Sequence, residues 1–239
     1  MKSKIFHHNH KSNEEGNNLR NTILGGQDGM VNVLGSVLGV AAATNNTAIV
    51  VIAGIAATLA ESISMGAVAY TSSKASHEFY LSQLNLEKNS IKKLKRFEIK
   101  EIKNLYYKKG FRGKELDNII NKITSNKSLW LKTIMEEEIR LTDSFSNPIR
   151  NAIIVLLASF IGSLIPLIPF FFFSVKTGII VSFVISTIAL FILGASKGKM
   201  TYGNWKKSGL ELAFIGIISA VLSYIIGDIV GKYLLTFYR

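Results

Sequence analysis

Five stretches of this chain, residues 23–43, 48–70, 152–173, 177–195 and 210–235, are long and apolar enough to read as membrane spans. A helix needs about twenty such residues to cross a hydrocarbon layer about 30 Å thick. Within that layer a single segment satisfies its own backbone polar groups only as a helix. The expected fold is therefore an all-α membrane protein with five transmembrane helices. The fifth stretch carries Glu211, Asp228 and Lys232 but is otherwise apolar. Residues 1–20 are polar, and the first apolar stretch is longer than the core of a signal peptide and lacks a convincing cleavage site, so the first span is expected to persist. With no cysteine, disulfides, thiolate metal ligands and thiol nucleophiles are excluded.

The formal charge of +12 would suit a nucleic-acid partner, but its distribution argues otherwise. Of 28 Lys and Arg residues, 17 fall between positions 72 and 150, four precede the first span and four lie between 197 and 207. With five spans and the N-terminus inside, all of these lie on the cytosolic side, as the positive-inside rule requires. The other side receives Thr44–Thr47, Lys176 and the short end with Lys232 and Arg239. The charge reports topology, and no nucleic-acid partner is expected.

Residues 72–148 form the one substantial polar segment, and their periodicity is helical. Ile91, Leu94, Glu98, Ile99, Ile102, Leu105 and Tyr106 recur at three and four, and Gly110 reads as a stop. Leu116, Ile119, Ile120 and Ile123 mark a second short helix; Ser125 is placed to cap a third, carrying Leu129, Leu131, Ile134, Met135 and Ile139. The second span meets no breaker after Gly66, so its helix is expected to continue into this segment. The expected organisation is a mobile polar tail over 1–20, transmembrane helices one and two over 21–71, a small cytosolic helical domain over 72–148, and helices three to five over 149–239. Pro148 suits the first turn of the third span, and Pro166 and Pro169 should kink or end it.

Few residues in the spans can carry chemistry. Asp28 and Glu61 are carboxylates where a charge costs at least about 2.5–3.5 kcal/mol, so each needs a cavity, a partner or a transport path. Met65 stands four residues after Glu61 on one helix face, and a carboxylate with a thioether suits a divalent first-row metal better than Mg²⁺ or Ca²⁺. The plain alternative is a pair of protonated acids bonding between helices, with Met65 filling space. Asp228, near the end of its span, and Glu211, at a helix start, read as interfacial. In the polar segment, Glu98 with Glu101 and Met135 with Glu138 are spaced three apart and can each present two ligands from one face. Surrounding lysines make a solvated helix face, or a surface for anionic lipid headgroups, the competing reading. The HHNH run at 7–10 in the tail reads as nonspecific. With neither a phosphate-cradling Gly-Lys-Ser/Thr loop, nor HExxH, nor a Ser-His-Asp set, the chain is not expected to be an enzyme.

The segments GGQDGMVNVLGSVLGVAAA, LAESISMGAVAYTSSKASHEFY, LWLKTIMEEEIRL and NPIRNA together resemble the vacuolar iron transporter family, over residues 21 to the end. That resemblance implies a homodimer with five helices per subunit that exchanges Fe²⁺, and often Mn²⁺ or related ions such as Co²⁺ and Zn²⁺, for protons. The metal is transported cargo rather than a tightly bound cofactor. It also implies a home in a vacuole-type organelle membrane or a prokaryotic plasma membrane, with metal leaving the cytosol. Asp28 and Met65 match the family's path residues. Glu87, Glu98, Glu101, Met135 and Glu138 match the metal-collecting positions of its cytosolic domain. The sequence departs at Ser90, where a further glutamate is usual, at Ile134, in place of the first Met of a pair, and at Ala69, in place of an acid. The domain is also basic where many relatives are acidic, which should weaken cation capture. Two functions follow as expectations: a proton-coupled divalent-metal transporter, and a membrane-anchored adaptor whose basic helical domain binds acidic lipid or protein.

Overall fold

The computed structural model of the chain describes the backbone of residues 2–142, 147–201 and 203–237 and, within those ranges, side chains from 15 to 233. Among the described residues every regular element is a helix. The chain divides into two compact units, Met1–Thr71 with Ser146–Arg239, and Ser72–Phe145.

The first unit contains α1 (Lys2–Thr44), the first half of α2 (Thr47–Lys93), α6 (Pro148–Leu167), α7 (Pro169–Phe172), α8 (Val175–Met200) and α9 (Trp205–Phe237). Asn46 caps α2 by accepting from the amides of Ala48 and Ile49, and Asn45 turns the chain at φ 47°. Asn147 caps α6 in the same way, with Pro148 in the first turn. Pro166 lies inside α6, whose helix ends one residue later, and the Ser182 hydroxyl of α8 donates to the Pro166 carbonyl at 2.7 Å. The expected break at the prolines is thus present.

α1 packs along α6 and α9, and α8 lies against α9. An apolar core forms around the second half of α1, where Val33, Leu34, Val37, Leu38 and Ala41 meet Val50, Leu167, Phe170 and Ala220. Glycine makes the close approaches possible: a Cβ on Gly162 would press into the Gly26 backbone, and one on Gly227 into that of Gly39. Near the start of α1, Asn21 donates to Asn151 of α6 at 2.9 Å, a buried amide pair that fixes the register of the two helices.

Four helical stretches, in α2, α6 with α7, α8 and α9, are long and apolar enough to cross a membrane. α1 is not among them. Gln27, Asp28, Asn32 and its glycines dilute the apolar stretch that was expected as a first span. The polar segment before the apolar stretch is part of the same helix, since α1 runs from Lys2. Its histidines at 7–10 lie outside the described side chains.

The second unit holds the remainder of α2, α3 (Lys95–Lys108), α4 (Gly113–Ser125) and α5 (Lys127–Thr133), which runs into a π-helical turn at Ile134–Glu138. α2 continues unbroken past Gly66, as expected. Gly110 takes φ 107° after α3, a left-handed conformation that ends the helix. Ile91, Ile102, Leu116, Ile120, Ile123, Trp130 and Ile134 form the core. The cap of α5 is Asn126 rather than Ser125: the Asn126 side chain accepts from the Ser128 and Leu129 amides, while Ser125 closes α4 by donating to the Lys122 carbonyl.

Candidate metal sites

In the first unit the polar residues of α1 recur every four positions. Asp28, Asn32 and Ser36 occupy one face, and the next face, with Gly25, Gly29 and Val33, is buried. Glu61 of α2 completes a cluster with them. Asn32 Nδ2 donates to Glu61 Oε1 at 3.0 Å, and the Asp28 carboxyl lies within hydrogen-bond reach of both Glu61 and Asn32. Met65, half-buried, stands one turn beyond Glu61. Neither acid forms an ion pair among the described residues. The two carboxyls and the amide make one polar cluster on otherwise apolar stretches of helix.

Asn32 was not singled out from the sequence, although it stands one helical turn after Asp28 inside the same apolar stretch. An amide is neutral and draws no attention in a search for charge. Here its amide orients Glu61 through that hydrogen bond. Asp228 pairs with Lys232 at 2.6 Å, in keeping with an interfacial position.

In the second unit the four expected glutamates come together electrostatically. Glu98 is only 3% exposed, and the Ser90 hydroxyl donates to its Oε1. Burial, then the charges of Glu98 and Glu101, push the Glu87 carboxyl above the usual value of 4.5. Burial and Glu98 push Glu101 upward, and burial followed by Glu101, Glu98 and Glu87 does the same to Glu138. No three acid or histidine side chains among the described residues converge closely enough to clasp one ion. The carboxyls are drawn from α2, α3 and the π turn, without a closed coordination shell.

The π turn decides which of three consecutive glutamates is available. Glu136 pairs with Lys132 at 3.7 Å; Glu137 accepts from Tyr106 at 3.1 Å and pairs with Lys109. Burial and this bond push the Tyr106 hydroxyl up to about 12, so it stays a donor. Glu138 is left to face the cluster. The expected single face for Met135 and Glu138 is spread by the wider winding: Met135 is buried at 1% exposure while Glu138 is exposed. Met135 nevertheless stands outside the unit's apolar core, whereas Ile134 belongs to it.

These upward shifts carry a sign. A carboxyl raised on folding stabilises the fold below its unfolded value near 4.5, and that contribution is lost as pH rises through the raised value. At neutral pH the cluster is therefore repulsive, and a bound divalent cation would relieve it. Mn²⁺ should raise the thermal midpoint of the full-length protein at pH 7.5 and do so much less at pH 5. The difference should disappear in Glu87→Gln/Glu101→Gln/Glu138→Gln. Equal Mn²⁺ shifts at the two pH values would contradict this reading.

The fold defines a helical protein with four stretches fit to cross a membrane, carrying carboxyls both in its apolar helices and in its polar unit. The VIT family profile matches residues 19–228, most of the length, and the chain belongs to that family. It is 28% identical over 228 residues to vacuolar iron transporter 1 of Arabidopsis thaliana, an alignment covering 95% of this chain and 91% of the relative. Against the vacuolar iron transporter of Centaurea cyanus the identity is 30% over 213 residues, covering 87% and 86%. The Plasmodium falciparum vacuolar iron transporter is 28% identical over 231 residues, covering 92% and 85%. All three relatives are named as iron transporters.

Proposed function

We propose that the protein exports divalent metal from the cytosol in exchange for protons, with Fe²⁺ as principal cargo and Mn²⁺ as a second. The observation that carries this reading is the Asp28–Glu61 carboxyl pair, set within apolar helices beside Met65 and without a fixed cation. Proton loss from the pair creates the anionic site that takes Fe²⁺, and proton return from the far side expels it, so one set of oxygens couples both ions. The names of the relatives support iron and a vacuole-type membrane. An adaptor has no use for such a pair.

In this reading α1 crosses the membrane as a fifth span. Its packing against α6 and α9 supports that, since the buried face with Gly25, Gly29 and Val33 seats α1 among helices that can cross a membrane. The N-terminus and the 72–148 domain are cytosolic, in line with the positive-inside distribution. The protein is a homodimer: Asn32 and Ser36 are exposed in the single chain, which is costly in lipid, and the apolar residues Ile52, Leu59 and Ile63 of α2 are exposed as well. A second copy covers both and places two Asp28 carboxyls near one path.

Glu87, Glu98, Glu101, Glu138 and Met135 collect metal on the cytosolic side. Ser90→Glu adds a fifth carboxylate beside Glu98 and should tighten Mn²⁺ binding by the full-length protein several-fold at pH 7.5, while destabilising the metal-free form. Unchanged affinity would remove Glu98 from the collecting site. For cargo, competition among Fe²⁺, Mn²⁺, Co²⁺ and Zn²⁺ in one proteoliposome flux assay is the test. Fe²⁺ should be carried and Mn²⁺ should compete; no flux of any of the four would reject the transporter reading.

A further inference from the structure

The second unit contains a cavity of about 800 Å³ that the acid clusters do not use. It lies where the end of α2 meets the start of α3 and the α4–α5 junction, and its lining includes Lys88, Lys92, Lys95, Lys127, Ser128 and Trp130. None of its lining residues is acidic. The four ammonium groups form no ion pair among the described residues, although other lysines of the unit do, with Asp117, Glu136 and Glu137. Four uncompensated positive charges around one concavity repel one another and destabilise the empty form.

Trp130 supplies an independent sign. It is 1% exposed, and its indole Nε1–H is buried with no hydrogen-bond partner. An indole nitrogen donates and cannot accept, so the unmet need is for an acceptor. A buried donor left unpaired costs about 1–3 kcal/mol, a strain stored in the wall of this cavity. The Asn126 side chain holds the Ser128 and Leu129 amides and thereby fixes the junction beside the cavity.

We propose that this cavity is a binding site for a polyphosphorylated small molecule or headgroup. Lysine ammonium groups act as point charges for phosphate oxygens, and the Ser128 hydroxyl adds a directional donor. A single inorganic phosphate would leave most of the volume and of the positive charge unused, whereas a phosphorylated polyol matches both. That polyol is either free in solution or the headgroup of a phosphoinositide lipid. The site does not depend on the metal cargo.

Labelled inositol hexakisphosphate, titrated into the purified full-length protein in phosphate-free detergent at about 0.15 M salt, is the first probe. Lys88→Gln/Lys92→Gln/Lys95→Gln/Lys127→Gln should weaken its binding roughly tenfold or more, while the charge-matched control Lys100→Gln/Lys108→Gln/Lys114→Gln/Lys122→Gln should change it by less than about twofold. In Trp205→Phe, which leaves Trp130 as the sole tryptophan, the probe should shift the emission. Nanodiscs containing phosphatidylinositol 4,5-bisphosphate distinguish the sources. If they shift Trp130 emission and block the soluble probe, the lipid headgroup is the ligand; if only the soluble probe acts, a free phosphorylated polyol is. No binding of either form, or equal losses in both quadruple variants, would overturn the proposal.

Discussion

Asp28→Asn should reduce proton-driven Fe²⁺ uptake into proteoliposomes by tenfold or more. The amide keeps the size and most of the hydrogen bonding of the carboxyl, so α1, Asn32 and Glu61 can retain their positions. What disappears is one negative charge and the ability to exchange a proton for a cation. At about 4 Å and an effective dielectric of about 20, one unit charge attracts another by about 4 kcal/mol, which sets the upper scale of the loss before relaxation. Asp28→Glu, which restores the charge on a longer arm, should recover part of the flux. Uptake by Asp28→Asn equal to that of the parent would remove Asp28 from the path.

Gly162→Val should have the largest effect on the fold. Its new side chain must enter the backbone of α1 at Gly26, and neither backbone can yield as a flexible side chain would. Overpacking of this kind costs about 1–3 kcal/mol or more. For a chain of this size the thermal midpoint should fall on the order of 5 to 10 °C. Gly16→Val is the control, since nothing lies within 4 Å of the Cβ it adds. A melt of Gly162→Val matching that of the parent would mean that α1 and α6 are not packed as closely as described. Because Asp28 sits two residues from Gly26 on the same helix, Gly162→Val should also impair transport at temperatures where it remains folded.

Much of this architecture was legible because a membrane restricts the choices. Long apolar stretches mark α2, α6, α8 and α9 directly, and prolines mark the ends of α6. α1 was harder to read, since its glycines and polar residues serve packing and a polar cluster at once. Asp28 stood out as an isolated charge, but Asn32, its neighbour one turn on, did not, because an amide carries no charge to notice. In the polar unit, spacing alone pointed to Glu98 with Glu101 and to Met135 with Glu138. Glu87 came only from family resemblance, as its partners lie on other elements. The π turn was invisible to a 3.6-residue period, and it separates buried Met135 from exposed Glu138. The lysine cavity had no signature either: its walls come from α2, α3, α4 and α5, and a run of lysines in sequence reads as a solvated face.

The central claim is that Fe²⁺ and protons move in opposite directions through the carboxyl cluster of α1 and α2. Proteoliposomes carrying the parent protein, with a pH-sensitive dye in the lumen and Fe²⁺ added outside under reducing conditions, test it most directly. With the lumen acidic, Fe²⁺ should enter and the lumen should lose protons in step with it. Dissipating the gradient beforehand with a protonophore should slow Fe²⁺ entry. Fe²⁺ entry at the same rate with and without the gradient, and with no change in luminal pH, would contradict the account.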